Sequence, residues 1–229
     1  MSKTPSELGR EIILQYVSKG AEALLLASCG THMHNPYHNL DHELSVVYYA
    51  HAAYMNEPDS EFTSRNTSLD HRVLLLAALF HDHNHSGGKT HDWDNIQRTL
   101  QFVDGSEFHR ILSLESSEVT KIKDIIRCTQ FFEGQFTYTP DNLCQQAIRD
   151  ADLMMIYSME GHDLLDGLFV EMGKPLSGYD DKAVSEALAR NASFLRDSKM
   201  YTQYGQWMKE FHLESALRSF RAGHIRGGQ

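Results

Sequence analysis

Apolar residues recur along most of the chain every three to four positions, which is the spacing of amphipathic helices. The segment 69–83 is apolar on nearly every side, so we expect it to run through the core as a helix. Glycines and prolines punctuate the pattern between the segments. The other helices that the pattern predicts are 6–28, 40–55, 92–103, 118–131, 142–157, 162–172, 181–197 and 200–221.

No convincing run of alternating apolar and polar residues occurs, so no strand is predicted and 133–141 is expected to be a loop. Helices that pack on helices define the expected fold class, an all-α protein built as a compact helical bundle. A length of 229 residues suits one domain covering 1–229. We expect its core at about 30–160, with the C-terminal helices over 160–226 packed on it.

Composition and charge argue against several classes of binding partner and cellular location. The formal net charge of −10 does not favour non-specific binding to nucleic acid or to an anionic membrane, although a bound dication would allow a nucleotide substrate. The three cysteines form no CxxC motif, which favours free thiols in a reducing compartment. The first residues lack a signal-peptide segment, and the longest strongly apolar run, 73–80, is too short to cross a bilayer. We therefore expect a cytoplasmic protein that binds no membrane and no nucleic acid.

Histidine is the unusual residue, because the chain has 14 and most of them lie between His32 and His91. Histidines clustered beside acids indicate a metal site. His38 and His42 are four residues apart, so on a helix they share one face and could point into one site. Two surface histidines would show the same spacing, so this pair alone leaves both interpretations open.

A second group of polar residues follows the apolar segment directly, beginning with His81 and Asp82. Burying a charged Asp without a partner is costly, so this pair indicates a metal or an ion-pair network. The turn Ser86-Gly87-Gly88 comes next, a suitable place for an open site beside a rigid element.

A third group lies in 148–153, where Asp150 and Asp152 fall on a predicted helix. Residues two apart face opposite sides of a helix, so both cannot bind one ion. One is a candidate ligand, and we expect the other to pair with Arg149 or with a neighbouring helix. Imidazoles and carboxylates without thiolates suit one or two ions of Zn²⁺, Mn²⁺, Fe²⁺ or Mg²⁺.

The order of these groups along the chain resembles the HD superfamily of metal-dependent phosphohydrolases. The motifs at 37–42 and 78–87 are similar to the catalytic core of class I cyclic-nucleotide phosphodiesterases. The resemblance implies an all-α HD-type domain in which the metal ligands are His42, His81, Asp82 and Asp152.

The same resemblance implies roles for individual residues. Asp82 would bridge to a second ion, and Asp152 is chosen over Asp150 because the family's ligand is the Asp of an Ala-Asp-Leu, here 151–153. His38 would be the general acid, and His85 would line the metal site and hold its water.

Other residues near these motifs have less defined roles. We expect His83 to be exposed, and we expect Thr90 or Asp92 to cap the helix that follows the glycine turn. The resemblance does not identify the glutamine that would bind the nucleotide, and Gln203 and Gln206 are the candidates. The candidate substrate-binding residues are Tyr37, Asn39, Asn84 and Asn95.

The function that these observations predict is metal-dependent hydrolysis of a small-molecule phosphate ester, first of all a nucleotide phosphodiester. A nucleotide phosphomonoesterase or a dNTP triphosphohydrolase would use the same core. A binding module that has lost turnover is the alternative from another class, although all four expected ligands and the candidate acid are present. A di-iron oxygenase would need further His or Asp ligands, and the sequence shows no convincing set. A homodimer is compatible with all of these.

Overall fold

The computed structural model describes residues 3–28, 34–58, 68–157, 167–173 and 181–226. Residues 167–171 are helical and are called α9 here. The other helices are α1 (Pro5–Tyr16), α2 (Lys19–Ser28), α3 (Leu40–Met55), α4 (Ser68–Phe80), α5 (Asp92–Val103), α6 (Ser106–Leu112), α7 (Ser116–Arg127), α8 (Leu143–Tyr157), α10 (Asp181–Asp197) and α11 (Gln203–Arg226).

The all-α fold class is confirmed. Among the described residues, strand structure is confined to one antiparallel hairpin of β1 (Phe131–Phe132) and β2 (Gln135–Phe136). A tight turn joins the two strands, with Glu133 and Gly134 at positive φ. Each strand has only two residues, too few for an alternating pattern, which explains why the sequence predicted a loop here.

Several helix boundaries differ from the prediction. The predicted helix 6–28 is two helices, because α1 ends at Tyr16 and α2 begins at Lys19, while the apolar stripe continues across the break. The helix predicted over 69–83 ends at Phe80, so His81 and Asp82 lie in the turn that follows it. The helix predicted over 118–131 covers Ser116–Arg127, and the seven-residue α6 was not predicted.

The centre of the fold is α3, which packs against α1, α4 and α8. Residues 74–80 of α4 have no exposed surface, as expected of a helix that crosses the core. The C-terminal α11 packs on α8 and α3. The helices α3, α4 and α8 pack on one another, and the predicted metal ligands lie on α3, on α8 and in the turn that follows α4. Within the described residues, no helix has the length and hydropathy needed to span a membrane.

Candidate metal centre

The four residues expected to bind metal come from α3, the turn after α4, and α8, and their side chains lie close together. His42 lies in the first turn of α3, and Asn39 caps that helix by accepting the N–H of His42 at 3.1 Å. His81 and Asp82 follow the last residue of α4 directly, and Asp152 lies within α8. The cap and the rigid core helix α4 therefore fix the ends of the two elements that carry the histidines.

The separations between the donor atoms suit a single divalent ion. Nε2 of His42 lies 3.3 Å from Nε2 of His81, and each of these atoms lies 3.1 Å from Oδ2 of Asp82. Oδ1 of Asp152 lies 3.6 Å from the nitrogen of His42 and 3.7 Å from that of His81. Ligands about 2.0–2.1 Å from a tetrahedral zinc lie about 3.3 Å from one another. One ion could therefore engage His42, His81 and Asp82 after small shifts, and Asp152, whose Oδ1 is near both imidazoles, could become the fourth ligand after a side-chain movement.

The electrostatics of this cluster favour a positive charge at its centre. Burial opposes the charged form of His81, but the carboxylates of Asp82 and Asp152 outweigh burial and hold the pKa of His81 well above its usual range. Burial would likewise raise the pKa of Asp82, but nearby His81 and His38 hold it well below its usual value. Burial lowers the pKa of His42. A bound cation would take over the role of the proton on His81.

The hydrogen bonds of the two buried histidines differ. Nδ1 of His81 lies 2.9 Å from the carbonyl oxygen of Ala78. Nδ1–H therefore donates to that carbonyl, and the lone pair of Nε2 faces the other ligands. No hydrogen-bond partner for Nδ1 of His42 occurs among the described residues.

Glu171, which the sequence analysis did not single out, holds the predicted general acid. Its Oε1 accepts the backbone N–H groups of Tyr37 and His38 at 2.7 and 2.9 Å, and its Oε2 lies 2.6 Å from Nδ1 of His38. Nε2 of His38 lies 3.9 Å from Oδ2 of Asp82, on the side of the metal ligands. Burial lowers the pKa of His38, but attraction to Asp82 and the hydrogen bond to Glu171 outweigh it and raise that pKa. No nearby motif marks Glu171, since 133 residues separate it from His38.

The ring of His85 packs against the imidazole of His38, with the ring centres 3.7 Å apart and the planes tilted by 33°. Its Nδ1 accepts the N–H of Gly87 at 3.2 Å and lies 3.9 Å from Oε2 of Glu171. Burial lowers the pKa of His85 to about 3, which keeps the ring neutral. One ligand atom from each of His38, His85 and Glu171 lies within 4.8 Å of the others, as is also true of His42, His81 and Asp82.

The glycine turn brings α9 close enough for Glu171 to reach His38. Gly88 has φ +77°, and a Cβ at this position would lie 1.9 Å from the backbone oxygen of Glu171. Both the left-handed conformation and the close approach require a glycine. Nδ2 of Asn35 donates to the carbonyl of His85 at 2.9 Å, which ties the same turn to the segment before α3.

The four weaker substrate-binding candidates lie in different surroundings. Tyr37 is buried, and its ring packs against those of His38 and His42 at 4.7 and 4.8 Å. Besides capping α3, Asn39 donates to the backbone of Asn35. Oδ1 of the buried Asn95 accepts the N–H of Ser86 and the hydroxyl of Thr90, so Asn95 organises the turn. Asn84 is exposed and has φ 61°.

Two expectations around the turn were wrong. His83 is buried, and its ring stacks on Phe102 at 3.8 Å, because the chain folds back onto α5 after His81. The N-cap position of α5 is His91, whose side chain makes no capping hydrogen bond, so neither Thr90 nor Asp92 is the N-cap residue. Oδ2 of Asp92 instead accepts the N–H of Phe131 at 2.7 Å. Burial and the charges of Asp82 and Asp152 raise the pKa of Asp92 to about 6, although its hydrogen bond to Phe131 opposes this shift.

No known protein family and no curated protein matches the chain. The class of protein is therefore defined by the fold and the site alone. It is an all-α protein with a buried centre of histidines and carboxylates that could hold a metal ion.

Proposed function

We propose that this chain is an HD-type metal-dependent phosphohydrolase that cleaves a phosphate ester, with a nucleotide phosphodiester as the first substrate class. The observation that supports the proposal is the position of a histidine, hydrogen-bonded to a carboxylate, beside the cluster of His42, His81, Asp82 and Asp152. His38 donates to Glu171 through Nδ1, and its Nε2 lies 3.9 Å from Asp82, a member of that cluster.

A divalent ion bound by His42, His81, Asp82 and Asp152 would lower the pKa of water and neutralise phosphate charge. The carboxylates of Asp82 and Asp152 would help to hold the cation, and the carbonyl of Ala78 fixes the ring of His81. This arrangement suits an anionic substrate despite the net charge of −10, because a dication dominates the field in its own site.

The leaving oxygen of an alkyl phosphate ester is a strong base and needs a proton. Since Nδ1–H of His38 is committed to Glu171, the proton available for transfer is the one on Nε2 of the imidazolium. Asp82 and Glu171 both favour that charged form, and together they raise the pKa of His38 against the effect of burial. His38 would give this proton to the leaving oxygen and regain one from solvent, a contribution of roughly 10²–10⁴ in rate.

The test is a hydrolysis screen of chelator-stripped protein reloaded with Mn²⁺ or Zn²⁺. The substrates are cyclic nucleotides, dNTPs, nucleoside monophosphates and bis-nitrophenyl phosphate. We expect metal-dependent cleavage of a diester, with loss of both bound metal and turnover in Asp82→Asn and retention of both in the exposed control His91→Gln.

Other outcomes lead to different conclusions. Release of tripolyphosphate would support the metal centre but identify a dNTP as the substrate. Release of inorganic phosphate would identify a nucleoside monophosphate. Bound metal without turnover of any substrate would support the binding-module alternative. Full activity of Asp82→Asn with a normal metal content would overturn the proposal.

A further inference from the structure

We propose that His38, His85 and Glu171 form a second metal-ion site, and that a transition-metal ion bound there inhibits the enzyme by occupying its proton donor. The effect on rate rests on the proposed function. The site itself does not, because it follows from the three side chains alone.

The three side chains converge without belonging to the four-ligand centre. One ligand atom from each lies within 4.8 Å of the others. The two imidazole rings lie with their centres 3.7 Å apart and their planes tilted by 33°. Oε2 of Glu171 lies 2.6 Å from Nδ1 of His38 and 3.9 Å from Nδ1 of His85. Two nitrogens and one oxygen around a shared point leave a fourth tetrahedral position for water.

Glu171 is already fixed in the orientation that binding requires. Its Oε1 is held by the N–H groups of Tyr37 and His38, so its Oε2 is left to face the imidazoles. Its side chain is only 2% exposed. A buried carboxylate that is held by one oxygen is well placed to coordinate through the other.

The ligand set selects the class of ion. Two imidazoles and one carboxylate suit Zn²⁺ and similar transition metals, and this combination occurs in zinc sites with an open position. Mg²⁺ and Ca²⁺ prefer oxygen ligands and would bind here weakly. Nδ1 of His85 accepts a hydrogen bond from the N–H of Gly87, so it is the unprotonated nitrogen of that ring, and a bound ion would displace this N–H from its lone pair.

Binding displaces the proton between Nδ1 of His38 and Oε2 of Glu171, and that proton leaves to solvent. The two atoms must separate from 2.6 Å to about 3.3 Å, the distance between two ligands of a tetrahedral zinc. The imidazole then keeps one N–H, on Nε2. This N–H of a neutral, metal-bound ring is a far weaker acid than an imidazolium, so protonation of the leaving oxygen stops.

The two sites are adjacent, because Nε2 of His38 in the second site lies 3.9 Å from Oδ2 of Asp82 in the first. Two cations this close repel each other, and the second site has three protein ligands against four in the first. The second ion therefore binds more weakly. Hydrolysis should rise as the first equivalent of Zn²⁺ binds and fall as the second binds.

The experiment is a Zn²⁺ titration of metal-free protein by calorimetry and by competition with a chromophoric chelator, which count bound ions without an activity assay. We expect two classes of site. Glu171→Gln and His85→Gln should each weaken only the weaker class, by more than about 100-fold, since loss of even an outer-shell partner of a metal ligand costs about 10–100-fold in affinity. Asp152→Asn should weaken only the tighter class.

The exposed His91→Gln is the matched control and should keep both classes. If Glu171→Gln does not fold, His85→Gln decides, because it leaves the backbone hydrogen bonds of Glu171 intact. One class of site in the wild-type protein, or a second class that survives both variants, would overturn the proposal.

The rate measurement separates this inference from the proposed function. In His85→Gln, the fall in rate at excess Zn²⁺ should disappear relative to that variant's own maximum. Turnover by a protein that binds only one ion even at excess Zn²⁺ would rule out the second site and leave the function standing. Two classes of bound ion without turnover of any phosphate ester would contradict the function and leave the second site standing.

Discussion

Asp150 and Asp152 lie two residues apart on α8 and serve opposite sides of that helix. Oδ1 of Asp152 lies 3.6 Å from Nε2 of His42, within the metal centre. Oδ2 of Asp150 accepts the N–H and the hydroxyl of Thr202 at 2.7 and 2.8 Å, just before α11 begins. One turn of α8 therefore contributes both to the candidate metal site and to the hydrogen bonds that hold the start of α11.

Substituting these two carboxylates should separate metal binding from stability. Asp152→Asn should lose metal affinity and should lower the free energy of unfolding of the metal-free protein less than Asp150→Ala does, because the Asp152 side chain is partly exposed. Asp150→Ala should lower that free energy by about 1–3 kcal/mol, because it leaves buried donors at Thr202 without a partner. Urea unfolding and metal analysis of both variants are the measurements.

The reverse result would place the ligand elsewhere. A metal-free Asp150→Ala beside a fully loaded Asp152→Asn would mean that the centre is built on the other face of α8. Burial of the Asp150 carboxyl raises its pKa to about 6, as suits a structural group in an enclosed position.

The turn at Gly88 should affect proton donation by His38 indirectly, through the position of Glu171. Gly88→Ala adds a Cβ that would lie 1.9 Å from the backbone oxygen of Glu171, so α9 must move and Glu171 must retreat from His38. We expect loss of hydrolysis of esters with basic leaving groups, together with a lower melting temperature. Gly134→Ala is the matched control, because Gly134 has φ +84° but nothing within 4 Å of its added Cβ.

Both substitutions incur the strain of a left-handed non-glycine residue, about 1 kcal/mol. Only the contact with Glu171 distinguishes them. Equal losses of hydrolysis in the two variants would show that the backbone strain, and not the position of Glu171, is responsible.

Removing the acid itself should depend on the leaving group. His38→Ala should retain the tighter metal site and lose roughly 10²–10⁴ in rate on alkyl phosphate esters. The loss should be much smaller on nitrophenyl esters, whose leaving group needs no proton. Steady-state rates on the two ester types, at equal metal content, are the measurement, and equal losses on both would indicate a positioning role instead.

The local sequence predicted part of this centre, and long-range packing supplied the rest. His81 and Asp82 stand out because two polar residues end an apolar segment, a signal contained in a few consecutive residues. Glu171 gives no such signal, since it reaches His38 only because the chain places α9 against the glycine turn. His83 was predicted to be exposed because a histidine in a polar stretch normally is, whereas the turn places its ring against Phe102.

The same distinction holds for the helices. The bounds of α3 and α10 agree with the hydrophobic pattern, because a residue with helix-breaking or capping character stands next to each end. The break between α1 and α2 was missed because the apolar stripe continues through it. The close packing of α1 on α3 requires Gly9, because a Cβ there would lie 1.8 Å from the backbone oxygen of Leu44.

A histidine pair away from the metal centre should make the protein sensitive to acid. Nδ1 of His51 lies 2.9 Å from Nε2 of His71, with the rings of Tyr16 and Tyr54 packed against His71. Burial, with repulsion from His51, lowers the pKa of His71 to about 4 from its ordinary value near 6.5. Between these two pH values the unfolded chain binds more protons than the folded protein. The free energy of unfolding should therefore be complete above pH 6.5 and fall as the pH approaches 4.

Urea unfolding of the metal-free protein at a series of pH values measures this loss, which for one proton is at most about 1.4 kcal/mol per pH unit. His71→Phe keeps an aromatic ring against Tyr54 and removes the titrating group, so its unfolding free energy should depend less on pH in this range. His91→Gln, at an exposed position, should keep the wild-type slope. A slope in His71→Phe as steep as that of the wild-type protein would assign the acid sensitivity to other buried histidines, with His85 as the first to test because burial also lowers its pKa, to about 3.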